Sequence, residues 1–228
     1  MNYNSLIKKT ARFRRLLVAA LALACAFGTV THAQAQNIAS PSTPALITPP
    51  QGNSAFLLGR ATGTQGYICL PTSVGASTAV WTGKPARPEA TLFQTFLGQN
   101  IQVITHFLSP DTNPNGALDP VPFGSATWQS SFDSSKVWAA VLKGEMITAG
   151  PDQPSCPNAN SIACLMLTTI GSEQGPNGGT ILSKTTFVQR LNTKGGLAPT
   201  EGCTTSADVG KQALVPYTAD YYFFKKDK

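Results

Sequence analysis

Histidine is almost missing from this chain, with only His32 and His106 among 228 residues. Charge is sparse too, at 12% Asp, Glu, Lys and Arg. Beyond residue 30 no apolar run approaches the roughly 18 to 20 residues that a membrane-crossing helix needs. Each shortage excludes something. One histidine outside the N-terminal segment rules out a multi-histidine metal centre, and a zinc site built from His106 and carboxylates alone would be unusual, so no metal is expected. Outside that segment no basic run is longer than two residues except at Lys225, Lys226 and Lys228, which leaves no electrostatic footprint for nucleic acid or anionic lipid.

What is present begins with an address. Lys8, Lys9, Arg12, Arg14 and Arg15 precede an apolar run from Leu16 to Val30, followed by small residues around Ala33 and Ala35. This is the three-part layout of a secretory signal, expected to occupy residues 1–35 and to be cleaved near Ala35, or after Ala33. The expected destination is the periplasm or the medium, with no transmembrane helix. Lipidation of Cys25 fits poorly, because Ala22 stands where a lipobox wants a branched apolar residue and apolar character continues past the cysteine. Removal of five of the 17 basic residues leaves 12 against 11 acidic ones, so the basic balance of the whole chain belongs mostly to the signal.

Loss of Cys25 leaves Cys69, Cys156, Cys164 and Cys203, an even number for an oxidising compartment. Three connectivities are open. Spacing favours Cys156 with Cys164, across a short Pro/Asn-rich loop, and Cys69 with Cys203 as the long-range pair.

Residues 36–53, with Pro41, Pro44, Pro49 and Pro50 among Ser, Thr and Gln, read as a linker or lead-in, with structure starting near Ala55. The 54–224 stretch carries short β-branched and aromatic segments divided by Gly, Pro, Asn and Ser clusters, and 225–228 is a basic tail. Strands are expected at 55–60, 65–70, 91–95, 101–108, 126–130, 137–147, 162–170, 181–192 and 213–224. Gly98-Gln99-Asn100 suggests a hairpin turn, and the final strand should face its Tyr217, Ala219, Tyr221 and Phe223 side to the core. The fold class is therefore all-β: a single antiparallel β-sandwich or barrel-like domain, disulfide-stapled, with long loops at 109–124 and 149–161.

Candidate chemistry is thin. Ala61-Thr62-Gly63-Thr64-Gln65-Gly66 falls one residue short of a dinucleotide fingerprint, but a strand and a cysteine follow instead of a helix, so it reads as a turn between two strands and no cofactor is expected. His106, within an apolar strand, reads first as a hydrogen-bonded structural residue and second as a general acid or base. Asp133 reads as a turn residue capping local amides, and as a partner for His106 only in the second place. Arg190 reads as solvated or edge-protecting, with a pocket role as the alternative. Trp81, Trp128 and Trp138 are expected to fill the core.

Several segments together carry a likeness: Gly63-x-Gln65-x-Tyr67-x-Cys69, His106, Thr127-Trp128, Asp133-Ser134-x-Lys136-Val137, Phe187 through Pro199 to Cys203, and Val215 through Phe224. The chain resembles an uncharacterised secreted family of bacteria and fungi, a domain of unknown function, over about residues 45–224. The resemblance implies that Cys69 and Cys203 are the shared cysteines and that Cys156 and Cys164 are a local addition. It also implies a family Asp-Gly-Ser turn where this chain has Asp133-Ser134-Ser135. Some fungal relatives carry a malate dehydrogenase label, which the failed fingerprint does not support.

The functional expectation is a non-enzymatic exported domain that binds a small molecule, glycan or envelope partner. One rival is a hydrolase or isomerase using His106, with Asp133 orienting it and Arg190 holding an anionic substrate. Another is a structural or stress-related envelope protein. Oligomeric state stays open.

Overall fold

Alternation of side chains along a strand sends every second residue to the same face, so a sheet that curls shut encloses one set and exposes the other. In the computed structural model, which describes residues 38–109, 125–147, 156 and 160–228, this has happened. Eight strands run β1 (Asn53–Pro71), β2 (Ala79–Phe96), β3 (Gln99–Ser109), β4 (Ser125–Ser130), β5 (Lys136–Ile147), β6 (Cys164–Glu173), β7 (Phe187–Gly195) and β8 (Gln212–Lys226). Each pairs antiparallel with the next, and β8 returns to β1, closing a barrel in simple up-and-down order. The all-β, disulfide-stapled barrel-like expectation holds. The residues assigned to a signal, 1–35, and most of the two long loops lie outside the described residues.

Nine expected strands become eight because the first two are one. β1 passes straight through Ala61–Gly66, so the near-fingerprint is strand and not a turn. Its glycine serves packing: a Cβ on Gly63 would sit 2.0 Å from the Glu89 carbonyl oxygen of β2. β2 also begins well before residue 91, with Pro85 and Pro88 inside it. The hairpin turn sits at Leu97-Gly98, both at positive φ as a two-residue type I′ turn requires, and Gln99 and Asn100 already belong to β3. Residues 181–186, expected as strand, form a turn before β7.

The barrel interior holds Ala61, Leu92, Ile104, Trp128, Val137, Leu165, Val188 and the expected face of β8, Tyr217, Ala219, Tyr221 and Phe223. A second cluster covers part of the outer wall, where Tyr222 and Phe224 meet Met166, Leu191, Cys164 and Ile47. The lead-in is thus not a free linker over its described part. Ile47 is fully buried, and Gln189, also fully buried, donates from Nε2 to the Ile47 carbonyl. The apolar residues Ile38 and Ile47, sparse among the prolines, suffice because the barrel wall offers them a prepared surface.

Both disulfides are as spacing favoured: Cys69–Cys203, with Cα atoms 5.6 Å apart, and Cys156–Cys164, 6.0 Å apart.

The two barrel ends differ. At one, the β4–β5 turn and the segment between β6 and β7 are tied together: the Asp133 carboxylate accepts from the Ile181 N–H at 2.9 Å, and Ser135 Oγ accepts from the Leu182 N–H at 2.9 Å. Leu182 is driven into the core as a plug, fully buried. The C-terminal ends of β1, β3, β5 and β7 lie at the opposite end.

Candidate functional site

An eight-stranded barrel is just wide enough for its side chains to fill it or to leave room for one small ligand. Here Leu182 fills one end, and at the opposite end the described residues leave space between them. A cavity of about 500 Å³ opens there, lined by Pro88, Ala126, Val141, Ile162, Leu165, Leu167 and Leu197, with Gln65, Tyr67, His106, Trp128, Arg190 and Tyr221 set among them. Its volume lies within the range of ligand sites, and the mix of apolar walls with a few polar groups is their usual make-up.

His106 projects inward from β3, 3% exposed, opposite Trp128 of β4 in the register. The two rings stack with centroids 4.2 Å apart, and Tyr221 meets His106 edge-on at 5.3 Å. Nδ1 lies 2.8 Å from the Thr127 carbonyl oxygen. A carbonyl only accepts, so the proton is on Nδ1 and Nε2 keeps a lone pair. Burial pushes the ring's pKa down to about 3; the Thr127 contact opposes this and the Arg190 charge adds to it. The imidazole is neutral at physiological pH.

Arg190 comes from β7, half-buried. Its Nε and Nη2 both donate to the Ala163 carbonyl, at 3.0 and 2.8 Å. The solvated or edge-protecting reading is corrected: a closed barrel has no edge to protect, and the guanidinium lines the cavity. Tyr67 donates from its hydroxyl to the Gly196 carbonyl at 2.7 Å, and burial raises its pKa. The Tyr217 and Tyr221 hydroxyls are 3.2 Å apart, and burial first, then the neighbouring phenol, raises the pKa of Tyr217 far above its ordinary value. Trp128 Nε1 is buried with no hydrogen-bond partner among the described residues.

Residues 50–225 match a family model whose description is Protein of unknown function (DUF3455). The chain belongs to this family. The match carries no dehydrogenase label. No curated protein and no solved structure matches the chain.

Within this DUF3455 domain the three sequence candidates part company. His106 and Arg190 line one cavity. Asp133 lies in the tie at the plugged end, where its carboxylate holds the Ser135 N–H, the Ser135 hydroxyl and the Ile181 N–H. Burial would raise the Asp133 pKa, but these hydrogen bonds and one from Ser130 outweigh it and bring the value down to about 2. The three tryptophans also separate: Trp128 is inside the barrel, Trp138 is buried, and Trp81 packs beside the Cys69–Cys203 bridge, donating to the Glu201 carbonyl. Sequence reasoning missed Gln65, Tyr67 and Tyr221 as site residues. Their alternation along β1 and β8 was the available signal, since Gln65 and Tyr67 share a face with Ala61, as Tyr221 does with Phe223. Among the described residues no group of three His, Cys, Asp or Glu side chains could hold a metal, and no helix is long and apolar enough to cross a membrane.

Proposed function

We propose that this DUF3455 domain is an exported, non-enzymatic binding protein that holds a small, largely apolar molecule inside its barrel. The observation that carries the reading is the roughly 500 Å³ cavity at the end opposite Leu182, walled mostly by aliphatic side chains with a few convergent polar groups. Two disulfides and the N-terminal layout support export to an oxidising compartment. A purely structural role gives no reason for the described residues to enclose such a cavity. Catalysis by His106 has less support, because Asp133 is committed elsewhere, Nδ1 meets a backbone carbonyl and not a carboxylate, and a ring with a pKa near 3 is a poor base at neutral pH.

The test is to isolate the protein from cells that export it, determine its N-terminus, and extract it with organic solvent for mass spectrometry. A mature chain starting near Gln36 that carries a stoichiometric small molecule is expected. Ala126→Trp, which places an indole in the cavity, should abolish that co-purification. Equal recovery of the molecule with the variant would refute binding in the barrel.

A further inference from the structure

The cavity is electrostatically one-sided. Among the lining residues there is one cation, Arg190, and no Asp or Glu. Among the described residues the neighbouring ionisable groups do not supply a counter-charge: His106 is neutral, and the phenols of Tyr67 and Tyr217 are held protonated by burial. The two hydrogen bonds that Arg190 makes end on the Ala163 carbonyl, a neutral acceptor. A guanidinium has five N–H donors, so three remain for a further partner, and among the described residues no carboxylate takes them. A half-buried cation facing an apolar chamber is costly to keep unless something compensates it when the site is filled.

Other polar atoms point the same way. Trp128 Nε1 is a buried donor with no hydrogen-bond partner among the described residues, and the buried Gln65 brings its amide to the same wall. Unsatisfied donors in a cavity wall mark where a ligand's acceptors would sit. His106 Nε2, a lone pair, would repel a carboxylate, which leaves the Arg190 side of the chamber for the charged head and the aliphatic walls for the body.

We propose that the occupant is a monoanionic amphiphile, a carboxylate on a mostly apolar skeleton, with its carboxylate forked onto Arg190. The planar, two-donor geometry of guanidinium matches a carboxylate, and the single cation matches a single charge. This rests on the reading that the cavity binds a small molecule at all, and the experiment separates the two.

Calorimetric titration of the mature, oxidised protein would use decanoate and phenylbutyrate, each paired with the alcohol of the same skeleton, decanol and phenylbutanol. At least one carboxylate is expected to bind about tenfold to a hundredfold more tightly than its alcohol, the advantage of a charge-assisted hydrogen-bonded pair. Arg190→Gln should erase that preference, the carboxylate then binding no more tightly than its alcohol. Because loss of the Ala163 contact could unfold the barrel, Arg190→Lys is the companion: it keeps the cation, loses the fork, and should retain a reduced carboxylate preference. Alcohols that bind as well as carboxylates, or a preference that survives Arg190→Gln, would overturn the anion assignment and leave the binding reading standing. Failure of all four probes to bind would overturn both.

Discussion

Ser134 shows how a single residue can be wrong for its place and still be tolerated. It sits at φ +59 in the β4–β5 turn, a left-handed conformation that glycine adopts freely and other L-residues adopt at a cost. The Asp133 and Ser135 side chains on either side hold the turn so firmly that the strained residue persists. Ser134→Gly should therefore raise stability by about 0.5–1 kcal/mol, less than the full relief of strain because glycine also loosens the unfolded chain. Urea unfolding of the two proteins measures it, and a lower midpoint for the variant would show that the turn is not strained. The family resemblance had already placed a glycine there, while only the backbone angle gives the reason. The same turn shows what the sequence could and could not say of Asp133. That it caps amides was legible from its neighbours, whereas its grip on Ile181, 48 positions away, needed the fold. Gly179 completes the arrangement, since a Cβ there would stand 2.4 Å from that of Asp133.

At the scale of elements, the bridges were legible because cysteine count and spacing are discrete, while strand limits were not. Gly63 and Gly66 inside β1 and two prolines inside β2 look like breaks; β1 runs through its glycines because β2 and β8 pair with it on both sides, and Pro88 stays in register opposite Gln65 of β1. The bridges should differ in consequence. Cys69–Cys203 pins the end of β1 to the β7–β8 connection across 134 positions, whereas Cys156–Cys164 spans eight. In the chain-entropy model the long loop is worth about 5 kcal/mol and the short one about 2–3. Replacing both cysteines of the long bridge by serine should lower the guanidinium midpoint by clearly more than replacing those of the short one. A larger loss from the short bridge would mean that its packing against Met166 and Ile47 on the outer wall outweighs chain entropy.

Closure of the whole barrel turns scattered residues into a site, and it is also what hides the site from sequence reading. Gln65, His106, Trp128, Arg190 and Tyr221 come from five strands, and only the register of a closed sheet tells which of them meet inside. Enclosure has a measurable cost for His106. Its pKa is about 3 in the folded protein against about 6.5 unfolded, so between these values the unfolded chain holds the extra proton. The stability tied to the neutral ring is fully present above about pH 6.5 and is lost as pH falls toward 3. By about pH 4.5 the loss should reach roughly 2–3 kcal/mol. Asp133 acts in a lower window, between its ordinary value of 3.8 and about 2, and so does not confuse the upper part of the curve. In a protein prepared without residues 1–35 His106 is the only histidine, which makes the assignment direct. Urea midpoints measured from about pH 7 down to about pH 4.5 should fall steeply for the wild type and much less for His106→Gln, whose amide can still donate to the Thr127 carbonyl. A flat wild-type curve would mean that water or a bound partner reaches His106 and lets it take up a proton inside the fold, and the chamber would then be wetter than its aliphatic walls imply.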